Sequence, residues 1–152
     1  MKTVDTNEYM SVLQGLVEEG KEVGLLISGD SMAPFLVHQR DYIYFHKPDR
    51  ELKKGDMVFY RRKTGQYIMH RIMEVKQDGY YLVGDNQVQV EGPLDRDQIF
   101  AIVTKVKRNG RWIGPEDLTW KFFEKVWIHM IPVRRLIGRI SRKAKRMVKG
   151  QE

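Results

Sequence analysis

The chain has no cysteine among its 152 residues, which excludes disulfide cross-links, zinc–thiolate sites and a cysteine nucleophile. Its stability has to come from packing. It also lacks any apolar run near the roughly 18 to 20 residues that span a bilayer, so no transmembrane helix is expected. Met1 to Gly20 carries Asp5, Glu8, Glu18 and Glu19, with no apolar stretch between a basic start and a small-residue cleavage site, so no secretory signal is expected. Proline is sparse, at 5 residues, and neither an internal repeat nor a low-complexity linker interrupts the chain. One core with extensions is the expectation, in a cytoplasmic protein that is free or peripheral on the inner face of the membrane.

Net positive charge is missing from most of the sequence, although the total is +7. Residues 1–120 hold 17 Lys+Arg against 18 Asp+Glu, and residues 121–152 hold 10 against 2. The body is neutral and the tail is basic, so the charge speaks only for a C-terminal segment. No nucleic-acid surface is expected on the body.

Apolar periodicity supplies the elements. Thr6 to Glu19 places Tyr9, Met10, Val12, Leu13 and Leu16 at helical spacing before a stop at Gly20. Short runs rich in Val, Ile, Tyr and Phe follow, at Val23–Ile27, Asp41–Phe45, Met57–Tyr60, Tyr67–Val75, Tyr80–Val83 and Ile99–Val106. Asp78-Gly79 and Lys63-Thr64-Gly65-Gln66 read as hairpin turns. Strands at this spacing without helical crossovers predict a mainly β fold, an antiparallel coiled sheet or partly closed barrel. Gly114-Pro115-Glu116-Asp117 then opens a helix. Its first stripe is Phe122, Phe123, Val126, Trp127 and Met130; Pro132 breaks it, and Leu136, Ile137, Ile140, Met147 and Val148 form a second. The expected organisation is an N-terminal helix at 1–20, a β domain at 21–113 and a basic amphipathic helical tail at 114–152.

Several residues could carry chemistry. Val23–Ile27 delivers the chain into Ser28-Gly29-Asp30-Ser31, where a glycine turn exposes a hydroxyl and aims backbone N–H groups; an ordinary polar turn has the same composition. His70 lies in an apolar-flanked run and reads either as a general base or as a hydrogen-bonded structural histidine. Arg71 is either an anchor to a carboxylate or a solvated charge. His38 and His46 read as loop residues, and no ligand spacing predicts a metal or other cofactor.

Taken in order, Gly29-Asp30-Ser31-Met32-Ala33-Pro34, Gly55-Asp56-Met57-Val58, His70-Arg71-Ile72 and Gly84-Asp85-Asn86 resemble the type I signal peptidases, in their archaeal and endoplasmic-reticulum branch. These share a clan with LexA-like peptidases. The resemblance covers about Leu25 to Val106 and implies a serine endopeptidase acting on a peptide or preprotein. It makes Ser31 the nucleophile and His70 the base, with the Ser31 backbone N–H meeting the oxyanion. Gly29, Asp30, Met32 and Pro34 would contact substrate. Asp85 is the first candidate for a third catalytic residue and Glu91 the second, because the family's further Asp is replaced here by Gln87-Val88-Gln89-Val90-Glu91; Asp85 also suits a plain turn. Phe35 stands where the family usually has Thr.

Two other functions compete. A catalytically silent membrane-surface or peptide-binding module would keep the same fold. A LexA-like self-cleaving regulator would call for a lysine base and a DNA-binding module, which about 20 residues before the first strand cannot hold. The tail adds a partner: Arg134, Arg135, Arg139, Arg142, Lys143, Lys145, Arg146 and Lys149 surround the second stripe, as in a helix lying in an anionic membrane interface. That reading makes Trp120 to Lys149 the membrane segment, with Phe122, Phe123 and Trp127 as anchors. Packing on the body, or binding to nucleic acid or an acidic partner, accounts for the same pattern.

Overall fold

The computed structural model describes residues 6–131. Helix α1 (Thr6–Glu18) is followed by eight strands: β1 (Val23–Leu26), β2 (Tyr42–His46), β3 (Met57–Arg61), β4 (Tyr67–Lys76), β5 (Gly79–Val83), β6 (Glu91–Leu94), β7 (Ile99–Arg108) and β8 (Arg111–Ile113). Helix α2 (Leu118–Lys125) and a single helical turn at Trp127–His129 complete it. The strands form one antiparallel sheet in the order β1-β2-β7-β3-β4-β5-β6, with β8 pairing β7. The mainly β antiparallel expectation is met by an open sheet, not a closed barrel.

Each predicted strand is present within a residue or two of its expected limits, and two were not anticipated. β6 contains Gly92-Pro93, which reads as a turn, and β8 is only three residues long. The signal for β8 lay in Asn109-Gly110, whose φ values of 50° and 82° suit a tight hairpin matched to strand twist. The β4–β5 turn sits one residue earlier than Asp78-Gly79, because Lys76 pairs with Gly79 and leaves Gln77-Asp78 as the loop.

Both faces of the central strands are covered, which explains why β3 reads as an apolar run rather than an alternation. Met57 and Phe59 enter the larger core beneath α1 and α2; Val58 and Tyr60 enter a smaller one with Ile72, Leu82 and Ile102. On β7, Phe100 is an extra residue between the partners of Phe59 and Tyr60, so Phe100 and Ala101 both face the larger core. α1 buries Met10, Leu13 and Val17, while Tyr9 and Val12 of the expected face lie exposed. It ends as expected at Gly20, φ +88°, with Lys21 N–H donating to the Leu16 carbonyl and Gly20 N–H to that of Val17.

α2 begins at Leu118, after rather than at Pro115. Its Phe123 ring packs 4.8 Å from Phe35, and the Trp120 ring meets Phe35 edge-on at 6.0 Å. Trp127 donates its Nε1–H to the Asp85 carbonyl at 2.7 Å. Of the expected membrane anchors, Phe123 and Trp127 therefore serve the body, as does Trp120 at the start of the expected segment, and Phe122 remains exposed. The Pro132 break, the second apolar stripe and the cations Arg134 to Lys149 lie outside the described residues.

Candidate active site

The loop bearing Ser31 leaves β1 and returns to β2, and its neck is closed by backbone bonds. Ile27 N–H donates to the Asp41 carbonyl and Gln39 N–H to the Ile27 carbonyl, both at 2.8 Å. Met32, Phe35 and Leu36 sink into the larger core and hold the loop down. Gly29, at φ +94°, turns the chain, and its N–H donates to His38 Nδ1 at 2.7 Å. His38, expected only as a loop residue, is thus a brace for the loop that carries Ser31. Ser31 is left half-buried, facing a cavity of about 660 Å³.

The Gly-Asp-Asn box fastens that loop from the end of β5. Asn86 N–H donates to the Ser31 carbonyl at 2.9 Å. A Cβ on Gly84 would stand 2.5 Å from the same carbonyl oxygen, so only glycine permits the approach. Asp85 is fully buried, and both its oxygens accept from Arg71, Nε to Oδ1 and Nη2 to Oδ2, each at 2.9 Å. The third arm of Arg71, Nη1, donates to the Gly55 carbonyl at 2.9 Å, and the guanidinium stands 5.5 Å from the Phe35 ring. Arg71 is an anchor, not a solvated charge.

His70 precedes that anchor on β4 and lines the same cavity as Ser31, Gly29 and Met32. Ser31 and His70 come to one cavity without a hydrogen bond between them, and the imidazole Nδ1 instead meets the Tyr60 hydroxyl at 3.2 Å. Separation of this kind is common before substrate closes a catalytic hydrogen bond. Among the described residues lining the cavity, His70 is the one general base and none is a lysine. Burial pushes the imidazole down to about 4, with Glu91 pulling it up and Arg62 pushing it down. His70 is therefore neutral near pH 7.

Asp85 belongs to Arg71 rather than to the imidazole. Glu91, on β6, is the carboxylate whose charge reaches His70, and it is itself clamped by Arg62 through Nε to both oxygens at 3.0 Å. Burial would raise the Glu91 carboxyl, but Arg62's hydrogen bonds and charge outweigh it and hold the group below the ordinary range. Of the expected substrate contacts, Gly29 and Met32 line the cavity, whereas Asp30 and Pro34 are exposed and outside its lining. Sequence reasoning missed Tyr60, which reads as an ordinary core tyrosine, and Arg62, which lies 29 residues from its partner Glu91.

The Arg71–Asp85 pair yields a stability prediction. Asp85→Asn leaves a buried guanidinium without its counter-charge and should lower the unfolding free energy by about 3–5 kcal/mol in urea titration. Arg71→Met with Asp85→Leu should cost less than Asp85→Asn alone. A loss under about 1 kcal/mol for Asp85→Asn would show that the pair does not hold these segments together.

No curated protein matches the chain. The model of one family, Peptidase S24-like, matches residues 1–107, a span that includes Ser31, His70, Asp85 and Glu91. The chain therefore belongs to the Peptidase S24-like family, in the clan of serine peptidases of the LexA and signal peptidase kind.

Proposed function

We propose that the protein is a serine endopeptidase of signal peptidase kind, with Ser31 as nucleophile and His70 as base. The observation that carries this reading is the shared cavity, where the one general base beside Ser31 is a histidine neutral at physiological pH. With Nδ1 engaged by Tyr60, Nε2 is the nitrogen that takes the Ser31 Oγ proton. Oγ then bonds the peptide carbonyl carbon, the carbonyl electron pair moves onto oxygen, and the Ser31 N–H stabilises that charge. Collapse expels the amine, which takes the proton from His70, and water releases the acyl chain by the same steps.

Cavity chemistry supports a peptide substrate with apolar side chains. Leu25, Ile27, Met32, Ile43, Phe59 and Met69 line it, so an extended peptide with apolar side chains around the scissile bond fits. The family match supports a second reading, self-cleavage in the LexA manner, in which the substrate is a segment of this same chain. A fluorophosphonate should label wild type and not Ser31→Ala, with added peptide cut and the chain itself intact. Equal labelling of both proteins would overturn the first reading, and Ser31-dependent scission of the chain would favour the second.

The acid limb of activity reports the base. The charged and polar groups facing His70 are Tyr60 from β3, Arg62 after it and Glu91 from β6. Protonation of His70 should abolish turnover only as pH falls through about 4, rather than between pH 6 and 7 as an unperturbed imidazole would. The same shift has a stability counterpart. The unfolded imidazole, at its ordinary 6.5, binds protons that the folded one refuses, so the stability this group contributes is whole above pH 6.5 and is lost as pH falls toward about 4. A plot of kcat/KM against pH checks the first point, and a profile still climbing at about pH 9 would point to a lysine base instead.

The C-terminal part of the proposal concerns location: a cytoplasmic protein held on the inner face of the membrane. Leu118 and Phe122 on α2 and Val126 at its C-terminal cap are exposed beside Lys121 and Lys125, an apolar stripe flanked by cations. The full chain should cosediment with anionic phosphatidylglycerol vesicles and not with phosphatidylcholine vesicles, and Phe122→Asp should weaken that binding several-fold. Equal recovery with both vesicle types would remove the membrane reading.

A further inference from the structure

Four side chains around His70 form an arrangement that peptide hydrolysis alone does not explain. Tyr60 lies on β3, where it pairs with Ile68, while His70 pairs with Val58, so the two are diagonal neighbours on one face of the hairpin. The Tyr60 ring is fully buried, its centroid 6.1 Å from that of the imidazole. Its hydroxyl meets His70 Nδ1 at 3.2 Å and also feels the charges of Arg62 and Glu91. Arg62 is fixed in turn by Glu91 and by Gln66 Oε1, which accepts from Nη1 at 2.8 Å. Arg62, Glu91 and His70 line a second cavity of about 580 Å³, which shares Arg62, His70 and Gln87 with the first.

The direction of the Tyr60–His70 bond follows from what each group can do. A phenol has one proton to give, and burial together with the Glu91 charge keeps the Tyr60 hydroxyl protonated well beyond its ordinary range. Arg62 only donates, and Glu91, held ionised by Arg62, only accepts. The Glu91 charge favours a phenol proton turned toward the carboxylate over one turned toward the ring. The phenol oxygen can then accept from Nδ1, which it meets at 3.2 Å. A base that takes the Ser31 proton at Nε2 needs its own proton on Nδ1, and that is the tautomer this acceptor suits.

We propose that Tyr60 is a positioning residue for His70: its hydroxyl accepts the Nδ1–H and holds the imidazole in the tautomer whose Nε2 is bare. This rests on the reading of Ser31 and His70 as nucleophile and base, and it assigns the orienting role of a triad carboxylate to a phenol backed by Glu91. Glu91 acts at one remove. The arrangement has a chemical consequence: a carboxylate bonded directly to Nδ1 would favour the imidazolium, whereas a neutral phenol fixes the tautomer with less effect on basicity.

Two measurements on the full-length protein test this. Nitrogen-15 correlation spectra of the histidine rings report which nitrogen carries the proton, and they do not depend on turnover. In wild type at pH 7, His70 should be protonated at Nδ1; in Tyr60→Phe and in Glu91→Ala the population should move toward Nε2–H. Peptide hydrolysis should fall about 10- to 100-fold in kcat for Tyr60→Phe with KM nearly unchanged, and Glu91→Gln, which still accepts from the phenol, should recover most of the loss seen with Glu91→Ala. Wild-type His70 protonated at Nε2, or an unchanged tautomer in both Tyr60→Phe and Glu91→Ala, would overturn the proposal. Labelling of Ser31 with the wrong tautomer removes only the positioning role; the expected tautomer without labelling or hydrolysis removes the peptidase reading and leaves Tyr60 as the tautomer-setting group.

Discussion

The buried pairing of Arg71 with Asp85 is the constraint on which the remaining geometry hangs. A guanidinium with almost no solvent contact is tolerable only if its donors are matched, and here three arms reach two segments far apart in sequence, the Asp85 carboxylate and the Gly55 carbonyl. Its flat face rests near Phe35, which belongs to the Ser31 loop and also touches α2. The four sequence boxes therefore meet at one side chain. Asp85 extends the knot through its own carbonyl, which takes the Trp127 indole N–H. Hydrophobic burial supplies the bulk of the folding energy, but it is non-directional, and directed bonds of this kind set where the loop stands.

Around His70 the protein separates two tasks that a single carboxylate often combines. One acid, Asp85, is spent wholly on architecture. The other, Glu91, is paired with Arg62 and reaches the imidazole through its charge, with no hydrogen bond to the ring. His70, the proposed base, is left buried and uncharged, where water competes little for Nε2 and developing charge is less screened. A base of low proton affinity takes a proton less readily but returns it to the leaving amine more readily.

Much of this was legible from residues alone, and the failures have physical causes. Strand positions followed from short β-branched and aromatic runs, whereas the Ser31, His70 and Gly84 boxes stood out only as an ordered set resembling a known family, since each alone suits a plain turn or a structural histidine equally well. The burying face of α1 did not, since Tyr9 and Val12 are as apolar as the Val17 that is buried instead. Asp85 looked like a catalytic acid because turn propensity and acid chemistry use the same residue; only the position of Arg71, across a strand pair, decides between them. Tyr60 and Arg62 carried no local signal at all. Their significance arises from register, with β3 set against β4 and β6 folded back beside β5.

Gly84 has a mechanical meaning beyond permitting a turn. Its α-carbon lies so close to the Ser31 carbonyl that no side chain stands between the two backbones to yield by changing rotamer. Contact of that kind behaves as a stop: it resists compression steeply and tension hardly at all. The Asn86 N–H bond to that same carbonyl resists the opposite displacement, so Ser31 is held between a stop that blocks approach to the end of β5 and a tether that limits retreat from it.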